Sequence, residues 1–357
     1  MSRFLDRRLS GLTPYVPGEQ PKGIEGLIKL NTNESPFPPS PEAVAAVSEA
    51  AVKDLRLYPD PECSALIGAI SEEYGAARDQ IAIGNGSDEL LAFCFHGLCP
   101  EGAAFPDITY GFYPVFCEMF GVSPSVVPLR DDFSVAPEDY AEVRGTVFLA
   151  NPNAPTGMFL PLDGVKELLE QDPDRLVVVD EAYVDFGGES ALALLPEHEN
   201  LLIVRTFSKS RQLAGGRLAF AIGSRELIAD VNTMKFSFNP YSANRLALIA
   251  GEQAIRDVKY FDDCRAEIIE NRRYTEESLR GLGFTVTDSR ANFVFAAPPK
   301  IGGRRYYEEL RKAGILVRYF DKDRIRGYVR ITVGTRKQME ALIGASEKII
   351  MGGVSEK

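Results

Sequence analysis

Positive charge is scarce in this sequence: 40 lysines and arginines stand against 51 acidic residues, a net charge of −11. Nucleic acids and anionic membrane surfaces are polyanions, so this balance argues against both as partners. An anionic ligand must instead be drawn in by a local cluster of arginines. Histidine is almost missing, with only His96 and His198, and a multi-histidine metal site is therefore not expected. The five cysteines, Cys63, Cys94, Cys99, Cys117 and Cys264, are odd in number and show no C-x-x-C spacing. That favours reduced thiols in a cytoplasmic protein over a disulfide framework. The N-terminus lacks a long apolar run, so neither a signal peptide nor a membrane span is expected. Repeats and low-complexity segments are absent as well.

What is present is length enough for two domains and a large core, in 357 residues. Residues 1–40 are rich in proline and glycine and read as an extended arm, with a short strand at Leu27–Leu30. Helical spacing begins after Ser40-Pro41, a cap followed by proline at the first helical position. A second helix is expected after Tyr58-Pro-Asp-Pro61. Strand and helix signals then alternate for about two hundred residues, the pattern of a sheet with mostly parallel neighbours. The candidate strands are Gln80–Ile83, Ala103–Phe105, Ser125–Pro128, Thr146–Leu149, Leu176–Asp180, Leu201–Arg205 and Leu218–Ile222. Candidate helices are Ser87–Leu98, Gly111–Phe120, Leu162–Glu170 and Arg225–Asn232, then a long stretch Ala243–Arg280 broken near Asp257. The remainder predicts strands at Phe284–Thr287, Asn292–Ala296, Ile315–Arg318 and Tyr328–Thr332, with helices at Arg304–Ala313 and Arg336–Ile350. The expected class is α/β: a large domain over residues 41–256 with a mostly parallel seven-stranded sheet flanked by helices, and a smaller α+β domain over 257–357.

The chemistry gathers at strand ends. Leu201–Val204 is an apolar run that ends in Arg205-Thr-Phe-Ser-Lys209-Ser-Arg-Gln-Leu-Ala-Gly-Gly-Arg217. Hydroxyls, small residues and fixed cations after a strand suit a phosphate. A lysine there becomes a nucleophile able to form a Schiff base if its pKa is lowered. Leu176–Asp180 similarly ends in a carboxylate and runs on to Tyr183. Taken alone, Lys209 reads as part of a salt-bridged surface loop. Together with Asp180, Tyr183 and Arg217 it meets the needs of pyridoxal phosphate: a lysine for the aldehyde, an anion for the pyridinium nitrogen and a cradle for the phosphate.

Weaker signals surround this core. Gly84-Asn-Gly86-Ser87-Asp88-Glu89 follows a strand and opens a helix, so the amides of Ser87 and Asp88 can meet a phosphate; ordinary capping explains the same pattern. Tyr110 can present a ring to a planar cofactor or merely pack. In Asn151-Pro-Asn153-Ala154-Pro155-Thr-Gly157 a side-chain amide can reach the cofactor, although two prolines make a turn regardless. Arg318 and Arg330 lie at strand termini, where planar bidentate donors hold a phosphate or carboxylate; Arg324 and Arg326 read as solvated.

These motifs, with Pro14-Tyr15-Val-Pro-Gly18, Leu30-Asn-Thr-Asn33-Glu34 and Arg330-Ile-Thr-Val-Gly334, closely resemble the fold-type I pyridoxal-phosphate aminotransferases, and among them the histidinol-phosphate aminotransferases, over nearly the whole chain. The resemblance implies that Lys209 carries pyridoxal 5'-phosphate, Asp180 pairs with its ring nitrogen, Tyr183 with its ring oxygen, and Tyr110 stacks on the ring. Ser87, Asp88, Thr206, Ser208 and Arg217 would hold the phosphate, with Tyr58 entering from the other subunit of a homodimer. Tyr15, Asn33, Arg318 and Arg330 would line the substrate side, and the arm would pack on the small domain. The implied partners are a small phosphorylated amine, L-histidinol phosphate, and 2-oxoglutarate. An aromatic amino-acid aminotransferase, a threonine-phosphate decarboxylase and a non-catalytic binding protein compete with that reading. Three positions depart from the family pattern. Ala154 stands where many relatives carry asparagine, so either Tyr183 alone meets the ring oxygen or Asn153 turns inward to supply the missing amide, the arrangement expected here. Asp107-Ile108 replaces a common proline, and Ser210-Arg211-Gln212 is more polar than usual.

Overall fold

The computed structural model describes residues 4–21 and 26–352. Its largest sheet has seven strands in the order Ile81–Gly84, Ala219–Gly223, Leu201–Thr206, Val177–Asp180, Thr146–Ala150, Ala103–Pro106 and Pro124–Val127. Every pairing is parallel except the two made by Ala219–Gly223, which runs against both neighbours. The central strands are buried along their whole length, because helices cover both faces of the sheet. That burial explains their unbroken valine and leucine runs. The parallel strands all end on one edge, where Gly84, Ala150, Asp180 and Thr206 stop and irregular chain takes over. Ligand clefts of open α/β sheets form along such an edge.

A second sheet runs Arg318–Tyr319, Val329–Thr332, Phe293–Ala297 and Thr285–Val286, all antiparallel. The expected single strand Ile315–Arg318 is in fact two. Ile315–Leu316 pairs in parallel with Ile28–Lys29, whereas Arg318–Tyr319 pairs with Val329–Thr332. Buried Val317 is the joint between them. The N-terminal arm continues this ladder, since Leu30 N–H donates to Leu316 O at 2.7 Å and Thr332 N–H to Leu30 O at 2.9 Å. The helix expected after Ser40 covers only Pro41–Ala46, with Ser40 Oγ capping Ala43 N, and a further short helix, Glu49–Lys53, starts behind Ser48. The long C-terminal stretch divides at Asp257 as expected, and that residue's side chain caps the helix Val258–Gly281 at Tyr260 N.

One buried side chain stitches the two sheets together. Arg272, on the helix Val258–Gly281, donates to Phe186 O at 2.6 Å and to Ala291 O at 2.7 Å. It thereby holds the segment after Asp180 against the start of the second sheet. Arg272→Leu strands two buried carbonyls and should cost about 3 kcal/mol of unfolding free energy, read from the denaturant midpoint at unchanged m-value. A loss below about 0.5 kcal/mol would mean water replaces the guanidinium.

Candidate active site

The strand edge opens into two adjoining cavities. The inner one, about 360 Å³, is lined by Ser87, Asp88, Asp180, Thr206, Ser208 and Arg217, among others. The outer one, about 500 Å³, is lined by Tyr15, Asn33, Glu118, Arg318, Lys322 and Arg330. Tyr110, Ala154, Tyr183 and Lys209 belong to both walls. Lys209 thus sits at the passage between the two, with Nζ 5.9 Å from the centre of the Tyr183 ring.

Local folding explains each position in the inner cavity. The strand Ile81–Gly84 turns at Gly86, φ +84°, and the helix Ser87–Gly97 begins without any side-chain cap. Its first amides, at Ser87 and Asp88, lie ahead of the intrahelical ladder and need an outside acceptor. A Cβ at Gly86 would sit 2.6 Å from the Arg217 guanidinium, so only glycine lets that cation approach the helix start. Thr206 Oγ1 donates to Ser208 Oγ at 3.0 Å and accepts from its amide. Tyr110 Oη donates to Asp88 at 2.6 Å.

Asp180 is 5% exposed and receives only neutral donors, Tyr113 Oη at 3.2 Å and the Ala182 amide at 3.2 Å. No cation pairs with it among the described residues. Burial pushes its carboxyl up to about 7. Burial, with Arg330 nearby, brings the Lys209 ammonium down to about 8. A buried acid without a cation, an amine ready to lose its proton and a phosphate-sized cradle form one site, suited to a cationic ring with an aldehyde and an anionic tail.

Behind this wall lies a second buried cluster. Arg205 pairs with Asp185 and lies 3.8 Å from Glu181, with the Tyr74 ring 4.7 Å from its guanidinium carbon. Ser210 Oγ donates to Asp185 at 2.5 Å, and Ser190 Oγ and the Ala191 amide donate to Glu181. Burial alone raises the Asp185 carboxyl; Arg205, Ser210 and Arg211 outweigh it and hold it below the usual range.

The family Aminotransferase class I and II matches residues 25–345. The chain belongs to it. Histidinol-phosphate aminotransferase of Clostridium botulinum (strain Langeland) is 44% identical over 352 residues, 98% of this chain and 99% of that protein. Histidinol-phosphate aminotransferase 1 of Bordetella parapertussis is 49% identical over 354 residues, with the same coverage of both chains. Within the aminotransferases, the chain therefore belongs with the histidinol-phosphate group. The crystal structure of histidinol-phosphate aminotransferase from Sinorhizobium meliloti in complex with pyridoxal-5'-phosphate is similar at a TM-score of 0.82 and 25% identity, over 91% of each chain.

The expectation for Asn153 needs correction, and the contacts of the other expected residues are more specific than their positions alone. Asn153 does not reach the cleft. It is 2% exposed, and its amide protons go to Thr156 Oγ1 at 3.0 Å, inside the turn that its own backbone closes, and to Ile108 O at 2.9 Å on a neighbouring segment. Ala154 lines the cavities in its place. Arg324 and Arg326 are both exposed, as expected, but Arg324 also pairs with Asp107 at 2.6 Å and donates to Leu129 O and Arg130 O. Asp107 also accepts from the Leu129 amide and so ties two loops at the outer rim. The polar run after Lys209 is structural, with Ser210 on Asp185 and Arg211 on Ala254 O and the face of Phe261. Asn33, expected at the substrate, has its side chain on Tyr183 and Thr332. Arg318 donates to Val16 O at 3.0 Å and Pro17 O at 3.3 Å and so clasps the arm, whereas Arg330 keeps a buried Nε without a partner. Tyr58 is 78% exposed and stacks on Tyr241, away from this chain's own cleft. Sequence reasoning missed Tyr113, Glu118 and Lys322. Tyr113 sits in the expected helical segment, and nothing in the spacing signals that its hydroxyl meets Asp180.

The raised Asp180 pKa has a testable sign. A carboxyl that holds its proton more tightly when folded favours the native state below about pH 4 and loses that contribution as pH rises through about 7. In cofactor-free protein, Asp180→Asn removes this dependence. Its stability gain over wild type should be near zero at pH 4 and grow to about 4 kcal/mol at pH 8. Parallel denaturation curves at both pH values would show that Asp180 ionises freely.

Proposed function

We propose that this chain is a pyridoxal-phosphate-dependent transaminase that converts L-histidinol phosphate and 2-oxoglutarate into imidazole acetol phosphate and glutamate, in histidine biosynthesis. The observation that carries the reading is the pairing of an uncompensated buried carboxylate, Asp180, with a desolvated Lys209 across one cavity that opens into an arginine-lined second one. When bound, the cofactor supplies an electron sink for the substrate carbon next to the amine. Asp180 would keep a proton on the ring nitrogen. Tyr183 would donate to the ring oxygen, and Tyr110 would lie beside the ring. The Ser87 and Asp88 amides, Thr206, Ser208 and Arg217 would hold the phosphate. Lys209 Nζ would hold the aldehyde end and, as a free amine, would serve as the base at the substrate carbon. Residues 41–256 then carry the cofactor, while 257–357 and the arm 1–40 present Arg318, Arg330 and Tyr15 to the substrate.

Borohydride reduction followed by peptide mapping should label Lys209, and a single-turnover screen of amine donors should rank L-histidinol phosphate first. A label on Lys235, or a preference for an aromatic amino acid, would overturn the respective half of the proposal. Arg330→Ala should lower kcat/KM for L-histidinol phosphate by about 2–5 kcal/mol, the range for truncating one partner of a buried charge pair. An unchanged value would remove Arg330 from the site.

A homodimer fits the exposed apolar surface around Tyr58. Tyr58 and Tyr241 stack at 4.6 Å between ring centres, and Leu55, Leu57, Phe236 and Phe238 are exposed as well. A patch of that composition marks an interaction surface. In the proposed dimer Tyr58 enters the partner's inner cavity and adds to the phosphate ligands. Sedimentation should give a two-chain species, and Tyr58→Phe should retain the dimer while loosening the cofactor. A fully active monomer at assay concentration would end the shared-site reading. No helix among the described residues is long and apolar enough to cross a membrane, and the five cysteines are free. The cytoplasm is the proposed location.

A further inference from the structure

Ala154 leaves a gap in the donor set. It lines both cavities beside Tyr183 and Lys209 but has no polar side-chain atom, and the amide of Asn153 is committed elsewhere. Of the other hydroxyls that line both cavities, Thr32 donates to Glu34 and Tyr110 to Asp88, which leaves the Tyr183 hydroxyl as the donor. A phenol has one proton to give and two lone pairs to receive. What it receives decides where its proton goes.

Asn33 Nδ2 donates to Tyr183 Oη at 3.0 Å. The amide is held in that orientation by a closed set of bonds. Thr332 Oγ1 accepts the Asn33 backbone N–H at 2.9 Å and gives its own proton to Asn33 Oδ1 at 3.1 Å. That fixes the carbonyl end on Thr332 and the NH2 end on Tyr183. The reverse orientation would leave the Thr332 proton without this acceptor and would take up the phenol proton as well. Asn292 Nδ2 donates to Asn33 O at 3.1 Å, and Asn33 itself lies at φ +55°, a left-handed conformation that asparagine tolerates. The residue is 1% exposed.

We propose that Asn33 is a positioning residue that makes good the donor missing at Ala154: by donating to the Tyr183 oxygen, it directs the phenol proton toward the ring oxygen of the cofactor and strengthens that donation. The proposal rests on the pyridoxal-phosphate reading of the site. Buried hydrogen bonds in series polarise one another, so a phenol that accepts from an amide donates more strongly than a free one. Thr332 lies two residues beyond Arg330 on the same strand, Val329–Thr332. The strand that presents the substrate-side cation thus also orients the cofactor-side phenol, through Asn33.

The test is titration of the visible absorbance of the bound cofactor in the holoenzyme without substrate. Asn33→Gly keeps the left-handed backbone and deletes the amide. A weaker bond to the ionised ring oxygen stabilises the deprotonated form less, so the midpoint should rise by about one pH unit. Ala154→Asn in the Asn33→Gly background should bring it back down. Thr332→Val, which frees the amide to turn, should shift it the same way, and Thr332→Ser should titrate as wild type. If Asn33→Gly and Thr332→Val both titrate as wild type, the proposal fails, whatever happens to KM. A rise in KM for the amine alone would make Asn33 a substrate contact and nothing more. If the wild-type protein carries no absorbing group on Lys209, the pyridoxal-phosphate reading itself fails, an outcome separate from either result with the variants.

Discussion

Behind the cleft, one guanidinium holds two strand ends in register. Arg205 pairs with Asp185 and faces Glu181, and Ser210 closes the group. Each member is a near neighbour in the chain of a residue that lines the cleft: Glu181 of Asp180, Asp185 of Tyr183, Arg205 of Thr206, Ser210 of Lys209. Successive side chains on a strand point to opposite faces. When Arg205 turns inward to its acids, Thr206 is therefore presented to the cleft. Two buried carboxylates and one buried cation are costly to desolvate, and such a cluster does not add stability over a well-packed apolar one. Its consequence is geometric. Removing the cation would leave two buried acids, both on the segment after Val177–Asp180, without the Arg205 charge that ties them to Leu201–Thr206.

Given that frame, the electrostatics of the site follow from burial. An acidic chain with few spare cations concentrates Arg217 in the inner cavity and Arg318, Lys322 and Arg330 in the outer one. Lys209 lies between them, where desolvation and Arg330 both act against its charge. Asp180 stands in the inner cavity without a cation paired to it. The arrangement is out of balance by itself and becomes balanced when a positively charged ring with an anionic tail enters. Tyr113 gives the acid a neutral donor that keeps it oriented without cancelling its charge.

How much of this could be read in the sequence depends on the range of the interaction. Lys209, Asp180, Thr206, Ser208 and the Gly86 turn were legible because each follows directly on a buried apolar run, and strand ends in an α/β sheet share one edge. The seven strands were legible for the same reason, to within a residue or two at each end. Asn33 on Tyr183, Tyr113 on Asp180 and Arg324 on Asp107 were not, since each joins segments far apart in the chain and no local period encodes them. The direction of Asn153 is hidden from the sequence for a different reason. Flanking prolines restrict the backbone on both sides, but the nearest acceptors, Ile108 O and Thr156 Oγ1, decide where the amide points. The strand break at Val317 was equally hidden, because only the two different pairing partners make it a break.

The N-terminal arm draws these threads together. It runs beside the outer cavity from Thr13, whose amide meets Glu118, past Tyr15 stacked on Phe112, to Val16 and Pro17 on Arg318. It then passes through Asn31, whose carbonyl accepts from Arg330, to Asn33 on Tyr183. Both arginines on the substrate side are thus partly engaged by arm carbonyls. Neutral carbonyls are weaker acceptors than a phosphate for a guanidinium, and charge-assisted pairs are about twice as strong. In the proposed substrate complex an entering dianion would compete with the arm for Arg318, which gives the arm two bonds, more than for Arg330, whose Nε has no partner. On that reading Arg330 would bind the anion with the arm in place, while full engagement of Arg318 would require the arm to shift. Substrate recognition and the seating of the arm would then be, at Arg318, one equilibrium.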